Sequence, residues 1–211
     1  MINITIIGAR PNNLKCKEYE HNSEYNNALK ESIKDELFYI ANGNGIRGIC
    51  GLGLGYEQLF FEALLEYSKE NNCGVFLESA IPYREQSLKW NEEDKERYDK
   101  MLSISDNVIY VDELNDSRYN KIKEDSTRRN YERKKGELVH KKIRGTTGKY
   151  NPIKIRLKNR YAIDRSQAVI ILLEGKFNKE LDYCVSYALE NRKTVYYIDL
   201  REGIKWIIVN N

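Results

Sequence analysis

Three glycines at alternate positions, set between an apolar run and an amphipathic one, constrain this chain more than any other feature. Ile46 to Cys50 reads as a buried strand. Gly51-Leu52-Gly53-Leu54-Gly55 breaks it, and the following residues read as a helix with Leu59, Phe60, Ala63, Leu64 and Tyr67 on one face. Glycine has no Cβ, so such a turn can adopt conformations closed to other residues and lets a bound group approach the backbone. The helix behind it presents unpaired N–H groups and about half a positive charge. Strand, glycine turn and helix together form a candidate anion cradle, and the usual anion there is a phosphate. The spacing is G-x-G-x-G, neither the dinucleotide fingerprint G-x-G-x-x-G nor the P-loop with its Lys-Ser/Thr. A tight turn that holds no ligand is the competing reading.

The same alternation runs through most of the chain. Ile2, Ile4, Ile6 and Ile7 form a first strand that ends in Gly8-Ala9-Arg10-Pro11. Leu29, Ile33, Leu37 and Ile40 recur at helical spacing between about Ser23 and Ala41. Gly74 to Leu77 is a third strand, ending in Glu78-Ser79-Ala80-Ile81-Pro82-Tyr83. Asn91 caps a helix from Glu92 to Leu102, and Val108 to Val111 is a fourth strand. Arg156 to Arg165 reads as a short helix. Ala168 to Leu173 is continuously apolar, as a strand covered on both faces should be. Leu181, Cys184, Val185, Ala188 and Leu189 then mark an amphipathic helix, Thr194 to Asp199 a sixth strand, and Trp206 to Val209 a candidate seventh at an edge. The predicted fold class is α/β, a doubly wound, mostly parallel Rossmann-like sheet with helices on both faces.

The alternation is interrupted once. Residues 113–155 are polar and short of aliphatic side chains, and 113–160 hold 16 Lys+Arg against 6 Asp+Glu, a net of +10 in a chain whose total is +3. The expected organisation is therefore a single Rossmann-like domain over 1–211, interrupted by a basic insertion at about 113–155. A block so charged attracts anions, nucleic acid or an acidic partner. With 41% apolar residues the remainder suffices for a real core, and no apolar run approaches the ~18 residues of a membrane span. The start, Met1-Ile2-Asn3-Ile4-Thr5, reads as strand and not as a signal peptide. The four cysteines are far apart and form no C-x-x-C; Cys50, Cys73 and Cys184 fall on apolar faces and are expected reduced, which fits a cytoplasmic protein. The two histidines, His21 and His140, have no metal-ligand spacing, so neither metal nor cofactor is expected. With 21 Asn and with Lys over Arg by 21 to 14, the bias suggests an AT-rich bacterial or viral genome.

Four short motifs, in order and each at a strand end, carry a resemblance. They are G-x-R-P at Gly8 to Pro11; G-x-G-x-G-x-E at Gly51 to Glu57; Pro82-Tyr83-x-x-Gln86-x-x-x-Trp90; and Asn159-Arg160-Tyr161-x-x-Asp164-x-Ser166 followed by an apolar strand and Gly175. The chain resembles the YpsA-like branch of the SLOG superfamily, the Rossmann-like group that includes Smf/DprA and LOG proteins. The resemblance covers most of 1–111 and 156–200. It implies a nucleotide-derived ligand over the strand ends. The superfamily includes phosphoribohydrolases, DNA-binding members and proposed sensors of nucleotide signals in bacterial and phage conflict. Two departures stand out. Lys176-Phe177-Asn178-Lys179-Glu180 follows Gly175 where relatives often carry Gly-Gly-Thr, and with it the hydrolases' P-G-G-x-G-T-x-x-E is absent; the 113–155 insertion is the second departure, longer and more basic than this branch leads one to expect.

The candidate ligand-binding residues are Gly8, Arg10, Pro11, Gly51, Gly53, Gly55, Glu57, Tyr83, Gln86, Asn159, Arg160, Gly175 and Lys176. In the first reading the protein senses or sequesters a nucleotide-derived signal, ADP-ribose-like or cyclic, as a homo-oligomer and in a phage or bacterial conflict system. Gly51, Gly53 and Gly55 would cradle phosphate, Arg10 would pair with it, Tyr83 would stack on the base, and Glu57 would accept ribose hydroxyls or merely complement the helix dipole. Gln86 and Trp90 would brace their loop, and Asp164 would cap its helix or pair with Arg165. In the second reading the protein is a nucleotide N-glycosidase with Glu57 and Glu180 as the carboxylates. In the third, the basic insertion binds nucleic acid.

Overall fold

The computed structural model describes residues 1–8, 23–116, 119, 151–173 and 179–199, and the backbone of 204–208. Seven strands form one sheet: β1 (Ile2–Gly8), β2 (Ile46–Cys50), β3 (Val75–Ile81), β4 (Asn107–Tyr110), β5 (Ala168–Leu173), β6 (Thr194–Asp199) and β7 (Ile204–Ile208). Their spatial order is β4-β3-β2-β1-β5-β6-β7; the first six are parallel, and β7 runs antiparallel to β6. Among the described residues the α-helices delimited are α1 (Glu24–Ala41), α2 (Tyr56–Asn71), α3 (Glu92–Ser103), α4 (Pro152–Arg165) and α5 (Lys179–Glu190), with a 3-10 turn at Val111–Glu113. The predicted doubly wound class is the observed one.

The chain travels outward from β1 to β4, then crosses back over β1 to β5. Right-handed crossovers place α1 to α3 on one face and α4 and α5 on the other. Two cores result. Ile4, Ile6, Leu77 and Ile81 pack with Leu37, Phe60, Leu64 and Met101 on the first face. On the second, Ile49 and Ala80 meet Leu157 and Tyr161, while Ile7, Val169 and Ile171 meet Leu181 and Cys184. The strand order reverses between β1 and β5, whose carboxyl ends are Gly8 and Leu173. Ligands of open α/β sheets bind at that kind of edge.

Local chemistry explains the boundaries. Ser23 and Asn91 cap α1 and α3, accepting from the N–H groups of Asn26 and Asp94. Asn42 and Asn72 close α1 and α2 in the left-handed conformation, at φ 44° and 47°. Two expectations need correction. The third strand does not end at Leu77; it continues to Ile81, so Glu78 lies within the sheet. Helix α4 begins before Arg156: Asn151 caps it by accepting from Ile153 N–H, and Pro152 occupies its first turn. The end of the expected insertion is therefore helix. Most of the rest of 113–155 lies outside the described residues, as do Cys16, His21 and His140. Among the described residues, no helix is long and apolar enough to cross a membrane.

Candidate functional site

The glycine turn sits at the carboxyl end of β2, beside β1. An anion does occupy its N–H groups, but it is the protein's own. Glu57, in the first turn of α2, folds back so that Oε2 accepts from Gly53 N–H at 2.9 Å and Oε1 from Gly51 N–H at 3.2 Å. Lys158 of α4 donates to Oε1 at 2.5 Å. Because α2 and α4 lie on opposite faces, this ion pair bridges the two layers over the end of the sheet. Lys158 is buried, and the Glu57 side chain is 17% exposed.

The glycines are fitted to this pair. A Cβ on Gly53 would stand 2.6 Å from Glu57 Oε2, and one on Gly51 would stand 2.9 Å from Lys158 Cδ. Gly55 begins α2 at φ 93°, a conformation side chains resist. Leu52 also has positive φ, 53°, although it is fully buried. Such a residue costs about 1–3 kcal/mol and persists because its surroundings hold it. Two amides supply the hold: Gln58 Nε2 donates to Leu52 O at 3.3 Å, and Gln86 Nε2 donates to Gly51 O at 2.8 Å.

Electrostatics keep Glu57 charged. Burial pushes its pKa up, but the charge and hydrogen bond of Lys158 and the two glycine N–H groups outweigh that, and the net shift is downward. An ionised carboxylate only accepts hydrogen bonds. Oε1 already has two donors and Oε2 one.

Of the other candidates, Gly8 ends β1 beneath the Tyr56 ring, where a Cβ would come within 2.1 Å of a ring carbon. Tyr83 is buried, with the Lys154 ammonium 5.6 Å from its ring centre. Gln86 braces the glycine turn, and Trp90 packs edge-on against Tyr98. Asn159 is buried beneath α5, its Nδ2 donating to Cys184 Sγ at 3.5 Å. Arg160 lies over the Tyr187 ring at 4.1 Å. Residues two apart on a helix point about 200° apart, so Arg160 faces away from Lys158. The same geometry separates the two candidate carboxylates: Glu180 pairs with Arg156 at 3.0 Å, and Arg156 also points about 200° from Lys158. Asp164 does not pair with Arg165; it accepts from the hydroxyls of Tyr187 and Tyr119 at 2.6 and 3.1 Å. Arg10, Pro11, Gly175 and Lys176 lie outside the described residues.

Sequence reasoning missed Lys158. Its signal was its phase: it shares a helix face with Leu157, Tyr161 and Ala162, all buried. A lysine on an apolar face needs a carboxylate. Glu78 was missed too. Its buried carboxylate meets Arg47, Asn107 Nδ2 at 3.0 Å and the Tyr161 hydroxyl at 3.0 Å, which tie β2, β3, β4 and α4 together. Among the described residues, no group of three or more His, Cys, Asp or Glu is placed to hold a metal ion.

Two comparisons bear on this architecture. The model of the YpsA family, described as the YspA SLOG family, matches residues 4–131, more than half of the chain. A relative, the SPbeta prophage-derived protein YoqJ of Bacillus subtilis (strain 168), is 26% identical over 161 residues, covering 74% of this chain and 80% of that protein.

Proposed function

The chain belongs to the YpsA family of SLOG proteins, and from that premise we propose that it binds a nucleotide-derived small molecule at the carboxyl edge of its sheet and holds it intact. Family membership supports a nucleotide-related ligand. The observation that carries the site is the Glu57 carboxylate, fixed by three donors and still 17% exposed. Oε2 accepts one hydrogen bond where Oε1 accepts two, and the further donor a nucleotide offers is a ribose hydroxyl. The ligand's phosphate then goes to the switch point between β1 and β5. In sequence, Arg10 and Pro11 follow one strand end there, and Gly175 and Lys176 the other. Tyr83 is the proposed partner of the base.

Binding is favoured over hydrolysis by the electrostatics of Glu57. A carboxylate whose proton affinity is lowered is a weak general base. Its proposed catalytic partner, Glu180, is engaged with Arg156 on another side of α4. The relative YoqJ is by its name a prophage-derived protein. The role we propose for this chain is accordingly sequestration of a nucleotide signal, ADP-ribose-like or cyclic, between phage and host.

Mass spectrometry tests this directly. Purified protein is incubated with a panel of nucleotides and cyclic signals, washed and heat-denatured, and the released molecule is identified. An intact ligand, lost in Glu57→Ala, is expected. Free base with ribose phosphate would establish a glycosidase instead. Equal retention by Glu57→Ala would remove Glu57 from the site.

A further inference from the structure

A second cluster lies at the other end of α4. Several other buried or half-buried cations meet carboxylates, as Lys34, Lys154, Arg156 and Lys158 do, and Arg165 donates to the Tyr119 hydroxyl at 3.2 Å. Arg160 and Lys193 have no carboxylate at ion-pair distance among the described residues, yet both wall one cavity of about 460 Å³. Tyr119, Asp164, Tyr187 and Asn191 complete its lining. Lys193 immediately precedes β6, and Asp164 lies in the last turn of α4, four residues before β5. The cavity therefore opens at the amino edge of the sheet, opposite the glycine turn.

The donors in this cavity are incompletely used. Arg160 Nε is buried and finds no acceptor among the described residues. Lys193 Nζ gives one hydrogen bond, to the Asp164 carbonyl at 3.1 Å, and has two protons left. The carboxylate of Asp164 opposes an anion, but both its oxygens are taken by the Tyr187 and Tyr119 hydroxyls. Two cations against one saturated carboxylate leave the cavity positive. Stacking on Tyr187 holds the Arg160 plane in place, and an arginine fork beside a lysine point charge suits a tetrahedral oxyanion. The volume lies within the range of small-molecule sites.

We propose that this cavity is a second ligand site, separate from the carboxyl edge, which takes a phosphoryl dianion. Its source is either free inorganic phosphate or the phosphate monoester of a small metabolite. Arg160 and Lys193 bind the phosphoryl oxygens, and Tyr187 positions Arg160.

The test is a nuclear magnetic resonance titration of the full chain at constant ionic strength. One arm uses inorganic phosphate and the other glycerol 3-phosphate, which carries neither base nor ribose. The Arg160 Nε–H resonance is expected to shift saturably while the Gly53 amide stays in place, and Lys193→Gln is expected to weaken binding about tenfold. Tighter binding of inorganic phosphate identifies the free ion as the ligand, and tighter binding of glycerol 3-phosphate identifies the monoester. The proposal is overturned if neither probe moves Arg160 Nε–H at about 10 mM, well above the affinity such a site should show, or if Lys193→Gln binds as wild type does. The wild-type titration decides the matter even where the variant folds poorly. Because the glycine turn is monitored separately, failure here leaves the carboxyl-edge reading standing, and failure there leaves this one.

Discussion

At the scale of single residues, Glu57 changes the meaning of the glycine motif. The N–H groups that a phosphate would use are satisfied by a carboxylate four and six residues further on. Gly53 is then required by packing against Oε2. Gly53→Ala should cost about 1–3 kcal/mol, as overpacking does, and abolish ligand retention, because Glu57 must move; urea unfolding and the release assay measure the two effects. Lys158 has a sharper signature. The folded pKa of Glu57 lies below its unfolded value, so its contribution to stability is present above about pH 4.3 and is lost as pH falls through the folded pKa. In Lys158→Met the upward pull of burial prevails and the sign reverses: stability falls as pH rises through a raised folded pKa. The gap between wild type and variant should therefore widen from pH 4 to pH 7, reaching about 3 kcal/mol. A constant gap in urea melts across that range would show that Lys158 contributes only packing. Glu57 was legible as a candidate because it opens a helix after glycines. Lys158 carried a signal in its phase, but its pairing with Glu57 was not legible, because a contact between residues 57 and 158 leaves no trace in local spacing.

At the scale of elements, α2 lies unusually close to the sheet. A Cβ on Gly48 would meet Leu64 Cδ1 at 2.1 Å, and one on Gly8 would meet the Tyr56 ring at the same distance. Two strand glycines thus seat one helix, and its position sets where Glu57 begins. Gly48→Ala should destabilise by about 1–3 kcal/mol, and Leu64→Ala by about 2–5 kcal/mol. The double variant should be less destabilised than the two losses added, since the smaller side chain vacates the space that the new methyl needs. Strict additivity in chemical denaturation would contradict the close contact. Helices with sharp phase were legible to within a residue or two: Asn91 is the cap expected of α3, and Ser23, the expected start of α1, caps it. Helix α4 was not. Arg156-Leu157-Lys158-Asn159-Arg160-Tyr161 carries a cation at every second position around few apolar residues, because the helix serves three surroundings. Leu157 and Tyr161 enter the core, Lys158 reaches the glycine turn, and Arg156 and Arg160 stack on tyrosines of α5.

At the scale of the whole molecule, the strand order was readable in class but not in sequence of pairing. Parallel, buried strands announce themselves as apolar runs such as Ala168 to Leu173; that β5 pairs with β1 across a long basic stretch depends on the crossover alone. That crossover brings α2 and α4 to the same sheet end from opposite faces, joined there by Glu57 and Lys158. A ligand accepted by Glu57 and held at the β1–β5 switch would contact segments from both halves of the chain, so it should stabilise the molecule as a unit. At a free concentration 100 times its Kd, a ligand specific for the folded state adds about 2.7 kcal/mol. For a chain of this length that corresponds to a rise in Tm of roughly 5–11 °C. Differential scanning calorimetry with the ligand from the release assay should show a single transition moving by that amount, and no movement in Glu57→Ala. A ligand that raised only part of a split transition would instead be bound within one half of the sheet, and the bridge between α2 and α4 would be structural alone.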